Sequence, residues 1–271
     1  MIIDGKKIAQ DILGRLKKER KPKKFLAAVL AGNNPASLSF LRQKEKDAKV
    51  LGVEFTLTEL GEEATEEDVK KELARLAKDK DCGGIILQLP LPSHLNRDAL
   101  IGAIPPEKDV DNLTGRAPIL SPAVGVLEEI IKNLKFKIKN LRVTVVGANG
   151  FLVGKPVAEY LRDKVKDLIL IDLGDDLSLI KNADIVITGV GHAGLIKSEM
   201  LKDGTLVIDF GYDSGKGDFD SSSLYPIPRT SFESEVLRAD GLNPISYTPA
   251  PGGTGPILVA KLLENFYILN K

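Results

Sequence analysis

Arg142-Val-Thr-Val-Val-Gly147-Ala148-Asn149-Gly150-Phe-Leu-Val-Gly154-Lys155-Pro156 decides the fold. The β-branched run at 142–146, closed by glycine, reads as a buried strand. Gly147, Gly150 and Gly154 punctuate a turn, and Lys155-Pro156 opens a helix, where proline is favoured in the first turn. Strand, glycine turn and helix form the first unit of a dinucleotide-binding fold. The helix N-terminus offers N–H groups to a pyrophosphate, and glycines let the backbone approach it. The spacing is G-x-x-G-x-x-x-G rather than G-x-G-x-x-G, so the turn by itself also suits an ordinary βα connection. A second strand, Asp167 to Asp172, follows about one βαβ unit on. An acid in the place of Asp172 bonds the adenosine ribose hydroxyls and repels a 2′-phosphate, although a helix cap or loop acid would read the same. Neither the turn nor Leu173-Gly-Asp-Asp176 contains an arginine, so the local charge favours NAD over NADP.

Downstream, Asp184 to Thr188 and Leu206 to Asp209 read as further strands. Gly189-Val-Gly191 and Gly211 end them with turns able to approach a cofactor. His192 in such a turn is better read as a hydrogen-bonded turn residue than as a catalyst. Phe219 to Phe232 shows no clear periodicity. Thr248-Pro-Ala-Pro251-Gly252-Gly253-Thr-Gly-Pro256 is rigid and glycine-rich, and a helix follows with Ile257, Ala260, Leu263 and Phe266 on one stripe.

Upstream, the first half alternates α-β-α-β-α-β-α, which predicts parallel βαβ units. Ile8, Ile12 and Leu16 stripe a first helix, and Phe25 to Leu30 is a buried-strand candidate. The next helix opens near Ser37, read as its N-cap, with Phe40 and Lys44 four residues apart on one face. By spacing alone that pair suits a core ring beside a solvated lysine. Thr65-Glu-Glu-Asp68 is a variant capping box before a helix striped by Val69, Leu73 and Leu76. Gly83 to Leu87 is a strand ending in Gln88-Leu-Pro-Leu-Pro92, and Asn96 reads as the cap of a short helix. Lys108-Asp-Val-Asp111 follows in a loop. Carboxyl ends of parallel strands converge on one crevice, so Gln88 and Asp111 are candidates to face Lys44 there. A turn amide and two solvated loop acids are the plainer alternatives. Ser121-Pro122 starts a helix that connects the halves.

Composition narrows the function classes. The 271 residues carry 38 Lys plus Arg and 38 Asp plus Glu, a balance with no sign of nucleic-acid or membrane-surface binding. The single Cys82 excludes an intrachain disulfide framework and fits a reducing compartment. One Cys and two His make a structural zinc site improbable, so no metal is expected. No apolar run approaches the roughly 20 residues that span a bilayer. A soluble cytoplasmic α/β protein is the expectation. The residues alone leave open another two-lobed Rossmann dehydrogenase, or a nucleotide-binding protein without turnover.

Taken together, Pro35-Ala-Ser37 with Phe40 and Lys44, Gln88-Leu-Pro-Leu-Pro92 and Pro106-Glu-Lys-Asp-Val-Asp111 carry a family resemblance in the first half. Leu152-Val-Gly154 with Pro156, Val207-Ile-Asp209 with Gly211, and Thr248 to Pro256 carry it in the second. In this order and spacing the chain resembles the bifunctional methylenetetrahydrofolate dehydrogenase/methenyltetrahydrofolate cyclohydrolase family along nearly its whole length. The resemblance implies two α/β lobes facing a cleft. Residues 1–120, completed by a C-terminal helix at 254–271, would bind tetrahydrofolate derivatives, and 121–253 would form the Rossmann lobe for NAD or NADP. It implies Lys44 as the essential lysine, Gln88 as the amide that positions it, and Asp111 as the carboxylate on the pterin's amino edge. It further implies that Phe40 stacks on the pterin and that Pro251, Gly252 and Gly253 line the cleft. Gly147, Ala148, Asn149, Gly150 and Gly154 would form the phosphate turn, and Tyr212 would contact the cofactor through its backbone. A homodimer through the Rossmann lobe is also implied. Phe40 stands where the family usually has Tyr, which weakens the expected cyclohydrolase step. Ala148-Asn149 replaces the usual Arg-Ser, in line with NAD. Asn112 replaces a usual glycine and also tolerates positive φ.

Overall fold

The structure, a computed structural model, describes residues 1–224 and 245–271. The chain divides into two compact units, one of Ala9–Gly125 with Leu258–Lys271, the other of Met1–Ile8 with Val126–Ile257. Part of the aperiodic stretch beginning at Phe219, residues 225–244, lies outside the described residues.

The first unit takes α1 (Gly5–Leu16), β1 (Phe25–Ala31), α2 (Pro35–Val50), β2 (Phe55–Leu60), α3 (Glu66–Lys78), β3 (Cys82–Leu87) and α4 (Arg97–Ile101) in alternation. Its sheet is parallel, in the order β2-β1-β3. Every residue of β3 is buried, as a strand covered on both faces requires. The capping box at Thr65 and Asp68 is closed in both directions, and Val69, Leu73 and Leu76 form the buried stripe of α3. Asn96 caps α4 through Ala99 N. The C-terminal helix (Thr254–Leu269) contributes Ala260, Leu263 and Phe266 to full burial.

One boundary differs from expectation. The N-cap of α2 is Asn34, whose Oδ1 accepts Ser37 N at 3.0 Å, and Pro35 occupies the first turn. Ser37 is therefore inside the helix and buried, its hydroxyl 3.5 Å from Leu89 O. Asn and Ser are comparable caps, and the proline at the first helical position decides between them.

The second unit follows α5 (Pro122–Leu134) with β4 (Arg142–Val146), α6 (Gly154–Leu161), β5 (Asp167–Ile171), β6 (Ile185–Thr188), β7 (Ile196–Lys197), β8 (Leu206–Asp209), β9 (Phe219–Asp220) and β10 (Ser246–Tyr247), and the C-terminal helix becomes α7. Its main sheet is parallel in the order β10-β8-β6-β4-β5, while β7 and β9 form a small separate pair. Strand β4 has β5 on one side and β6 on the other, so the strand order reverses at β4. Doubly wound sheets bind ligands at that reversal, and the glycine turn leaves β4 there. The short strand β10 pairs with β8, and Ile3 N donates to Tyr247 O at 2.9 Å. This backbone pairing groups Met1–Ile8 with the second unit, whereas the expected division began the first lobe at residue 1.

Candidate active site

The first unit gathers its polar groups at the carboxyl ends of β1 and β3. Helix α2 begins just after β1, and Gln88 follows the last residue of β3, its N–H held by Val29 O at 2.9 Å. Lys44 Nζ donates to Gln88 Oε1 at 3.0 Å, and Gln88 Nε2 donates to Leu89 O at 2.7 Å. The second bond fixes the amide so that its oxygen, not its nitrogen, meets the lysine. Lys44 is 4 % exposed and Gln88 7 %. Lys44 Nζ also lies 5.0 Å from the centroid of the half-buried Phe40 ring. Burial pushes the Lys44 pKa below the ordinary lysine value, against an opposing pull from Asp111. Asp111 is pushed upward by its own burial, which outweighs the stabilising charge of Lys44; the nearby Asp109 charge pushes the same way. The two groups therefore sense one another electrostatically, and both are held nearer neutrality than in water.

The loop carrying Asp111 is tightly built. Asp109 pairs with Ile85 of β3 in a parallel bridge and is fully buried. Its carboxylate accepts Leu113 N, Thr114 N and Thr114 Oγ1 at 3.0, 2.8 and 2.7 Å. The solvated-acid alternative is thus wrong for Asp109, whose buried carboxylate folds the loop back on itself. Lys108 Nζ reaches Leu76 O, Ala77 O and Asp79 O, satisfying carbonyls at the end of α3. Asn265 of α7 donates to both Val110 O and Leu120 O at 2.9 Å. Asn112 adopts φ 51°, the left-handed region its side chain tolerates.

In the second unit the turn after β4 is a close approach of backbone to backbone. Gly147 has φ 77°, and a Cβ on Gly154 would stand 1.9 Å from Gly147 O. Only glycine fits there, and the start of α6 is brought onto the end of β4. Such a close-packed turn at a helix N-terminus has room for a dinucleotide pyrophosphate. Asp172, just past β5, accepts Asn149 N at 2.7 Å and Leu173 N at 2.8 Å. Those N–H donors hold its pKa below the usual carboxylate value. Asp172 therefore joins the turn at Ala148, Asn149 and Gly150 to the end of β5 as one acidic-rimmed surface.

Tyr212 is 59 % exposed beyond β8. Gly253 N donates to Pro249 O at 2.7 Å, closing the turn that contains the exposed Pro251 and the half-buried Gly252. Thr248 and Thr254 flank that turn and tie it to Asp209: Asp209 N donates to Thr248 Oγ1, and Thr254 Oγ1 donates to Asp209 O, each at 2.8 Å. Pro251–Gly253 and Tyr212 thus belong to the second unit, and Phe40, Lys44, Gln88 and Asp111 to the first. Sequence reasoning missed two buried carboxylates, Asp209 and Asp218, that organise these turns. Their signal was faint: Asp209 looked like a strand end, and Asp218 precedes the aperiodic stretch.

A parallel βαβ unit carrying a buried lysine–amide pair, joined in one chain to a doubly wound unit with a dinucleotide cradle, defines a two-unit nucleotide-dependent α/β protein. Comparison with known proteins gives the family. The sequence pattern of the tetrahydrofolate dehydrogenase/cyclohydrolase catalytic domain matches residues 3–111, and that of the NAD(P)-binding domain of the same family matches 121–271. The bifunctional protein FolD of Bacillus licheniformis is 34 % identical over 286 residues, covering 97 % of this chain and 95 % of its own. The chain belongs to the tetrahydrofolate dehydrogenase/cyclohydrolase family. Among solved structures, the bifunctional FolD of Campylobacter jejuni superposes with a TM-score of 0.86 at 27 % identity, covering 100 % of this chain and 98 % of that one. The FolD of Trypanosoma brucei, complexed with NADP and an inhibitor, gives 0.85 at 27 % identity, with 99 % and 96 % covered. Among the described residues no helix is long and apolar enough to cross a membrane.

Proposed function

We propose that the chain oxidises 5,10-methylenetetrahydrofolate to the 5,10-methenyl form with a nicotinamide cofactor, and hydrolyses the product to 10-formyltetrahydrofolate. Family membership supports both reactions. The observation that carries the site assignment is the buried Lys44–Gln88 hydrogen bond with Asp111 close enough to couple to it.

Phe40 offers its ring face to the pterin, one helical turn from Lys44. Asp111 accepts hydrogen bonds from the pterin's amino edge. A nicotinamide cofactor held at the Gly147–Gly154 turn would supply the acceptor for the hydride that leaves the methylene carbon in the first step. The substrate's own nitrogen lone pairs expel that hydride, so the protein aligns the pterin without supplying an acid or base. In the second step water adds to the methenyl carbon. Neutral Lys44 accepts a proton from that water and returns it to the ring nitrogen as the carbon–nitrogen bond breaks; the remaining hydroxyl proton leaves to solvent as the carbonyl forms, and the formyl group stays on the other nitrogen. Gln88 keeps the amine oriented through this cycle, and the depressed pKa of Lys44 makes the neutral amine available.

Asp172, with no arginine in the glycine turn, supports NAD as the preferred cofactor. The absence of a hydroxyl on Phe40 supports a second reading, in which dehydrogenation dominates and hydrolysis is slow. The reading also includes a cytoplasmic homodimer formed through the dinucleotide-binding unit, checked by sedimentation. The direct test follows methylenetetrahydrofolate-dependent reduction of NAD and NADP in parallel, with methenyl hydrolysis measured separately. No reduction of either cofactor ends the dehydrogenase reading, and a clear preference for NADP ends the NAD assignment.

A further inference from the structure

Asp218 is fully buried, yet it stands outside every motif that defines the site. Its carboxylate collects three donors from a single loop. Oδ2 accepts Thr188 Oγ1 at 2.6 Å and Val190 N at 2.7 Å, and Oδ1 accepts His192 N at 2.8 Å. These residues run from the last position of β6 across the turn Gly189-Val-Gly191. The far side of that loop rests on the dinucleotide cradle, where Val190 Cγ2 lies 3.0 Å from the position a Cβ on Gly147 would occupy.

Asp218 also presses on the neighbouring turn. A Cβ on Gly211 would stand 2.0 Å from Asp218 Oδ1, so the backbone beyond β8 passes directly over the carboxylate. Asp209 closes the arrangement: its Oδ1 accepts Gly211 N at 2.7 Å, and its Oδ2 accepts Phe219 N, the residue after Asp218, at 2.9 Å. The loops after β6 and β8, each at the carboxyl edge of the sheet, are therefore shaped around two interior carboxylates.

We propose that Asp218 is a positioning residue for the nicotinamide cofactor, holding the 188–192 loop against the glycine turn and setting the path of Gly211 beneath Tyr212. The role rests on the functional reading above, because it assumes a dinucleotide in the Gly147–Gly154 cradle. Asp218 touches no substrate atom and acts through the loop. Replacing it with asparagine keeps the volume but sets an NH2 either against His192 N or against Val190 N and the Thr188 hydroxyl. One carboxylate-to-donor bond lost is worth roughly a 10- to 100-fold change in an equilibrium constant.

The experiment uses the full chain carrying Asp218→Asn and, separately, Thr188→Val, with NADH binding followed by its fluorescence and steady-state kinetics followed for both substrates. The expected result for Asp218→Asn is an NADH Kd raised about tenfold or more, with the cofactor KM rising in step and the folate KM within about twofold of the parent. Thr188→Val removes one of the three donors and should raise the NADH Kd about threefold or more. A general packing defect would move both KM values together, and that outcome overturns the assignment. So does a folded Asp218→Asn variant with parental NADH affinity. If Asp218→Asn does not fold, Thr188→Val decides, and an unchanged Kd there overturns the proposal. Where the parent binds NADPH rather than NADH, the same comparison is made with NADPH; a parent chain that binds neither removes the functional reading and this role with it, a result distinct from a parent that binds and a variant that binds equally.

Discussion

Lys44 and Gln88 lie 44 residues apart and meet through one 3.0 Å hydrogen bond in the interior of the first unit. The bond joins the third turn of a helix to the first residue beyond a strand. It orients an amine whose charge the surroundings disfavour. Lys44→Met should lower methenyl hydrolysis on the order of 100-fold or more, as loss of a positioned proton-transfer group does. Gln88→Leu, which leaves the amine buried without its acceptor, should cost roughly tenfold. Undiminished hydrolysis in Lys44→Met would show that the proton moves elsewhere.

The pH profile of hydrolysis offers a second check. A basic group is active when neutral, and burial lowers the Lys44 pKa. Hydrolysis should therefore rise with pH and level off below the ordinary lysine range near about 10.4. A rise that continues into that range would mean the amine is not desolvated as the fold implies.

Phe40 sets a third expectation. Its ring centroid is 5.0 Å from Lys44 Nζ, so a hydroxyl added to the ring would enter the amine's surroundings. Phe40→Tyr should raise hydrolysis several-fold while leaving methylenetetrahydrofolate oxidation within about twofold, since hydride transfer depends on alignment. Equal changes in both rates would remove the distinction drawn between the two steps.

Asp172→Ser addresses cofactor choice. The carboxylate accepts two backbone N–H groups, so its loss loosens the glycine turn for both cofactors. The informative quantity is the ratio: kcat/KM for NADP relative to NAD should climb about tenfold or more when the negative charge is removed. A fixed ratio would mean that this acid serves the turn alone.

Asp209 gives a stability prediction of unusual sign. Burial, with Asp218 adding to it, raises its pKa to about 6 against an opposing effect of the N–H groups it accepts. The unfolded value is about 3.9, so between roughly pH 4 and 6 the native state holds the extra proton. Stability from this group is greatest at the acid end and declines as pH rises through the window. Above pH 6 the full penalty of about 3 kcal/mol is present. Thermal melts of the parent and of Asp209→Asn across that range isolate the effect, because groups common to both cancel. Parallel melting curves would place the carboxylate in a better-compensated environment than its burial indicates.

The alternation of strands and helices, the glycine turn and the stripe of the last helix were all legible because each follows from periodicity or from a backbone conformation few residues tolerate. Gln88 was legible at a strand end, Lys44 on the helix that follows β1 and Asp111 in a loop, and the resemblance implied their roles. The Asn34 cap was misread because two good capping residues lie three apart. Asp109 and Asp218 were not recognised because an acid buried by contacts distant in sequence has the same local pattern as one in water. Only the folded chain shows which N–H groups it gathers. Strand β10 escaped notice for a similar reason: two residues carry no period, and their pairing with β8 is set by the sheet they join.

The loop around Asp111 has a consequence for the thermodynamics of recognition. Lys108 anchors it to the end of α3, Asp109 gathers the amides beyond it, and Asn265 clasps Val110 and Leu120 from α7. Its conformational entropy is surrendered when the protein folds, long before a ligand arrives. In the proposed role of Asp111, a pterin would find the acceptor already in place and would not have to order the segment that carries it. Encounter should then resemble docking to a rigid template, and discrimination between folate analogues should appear mainly in how long each one stays.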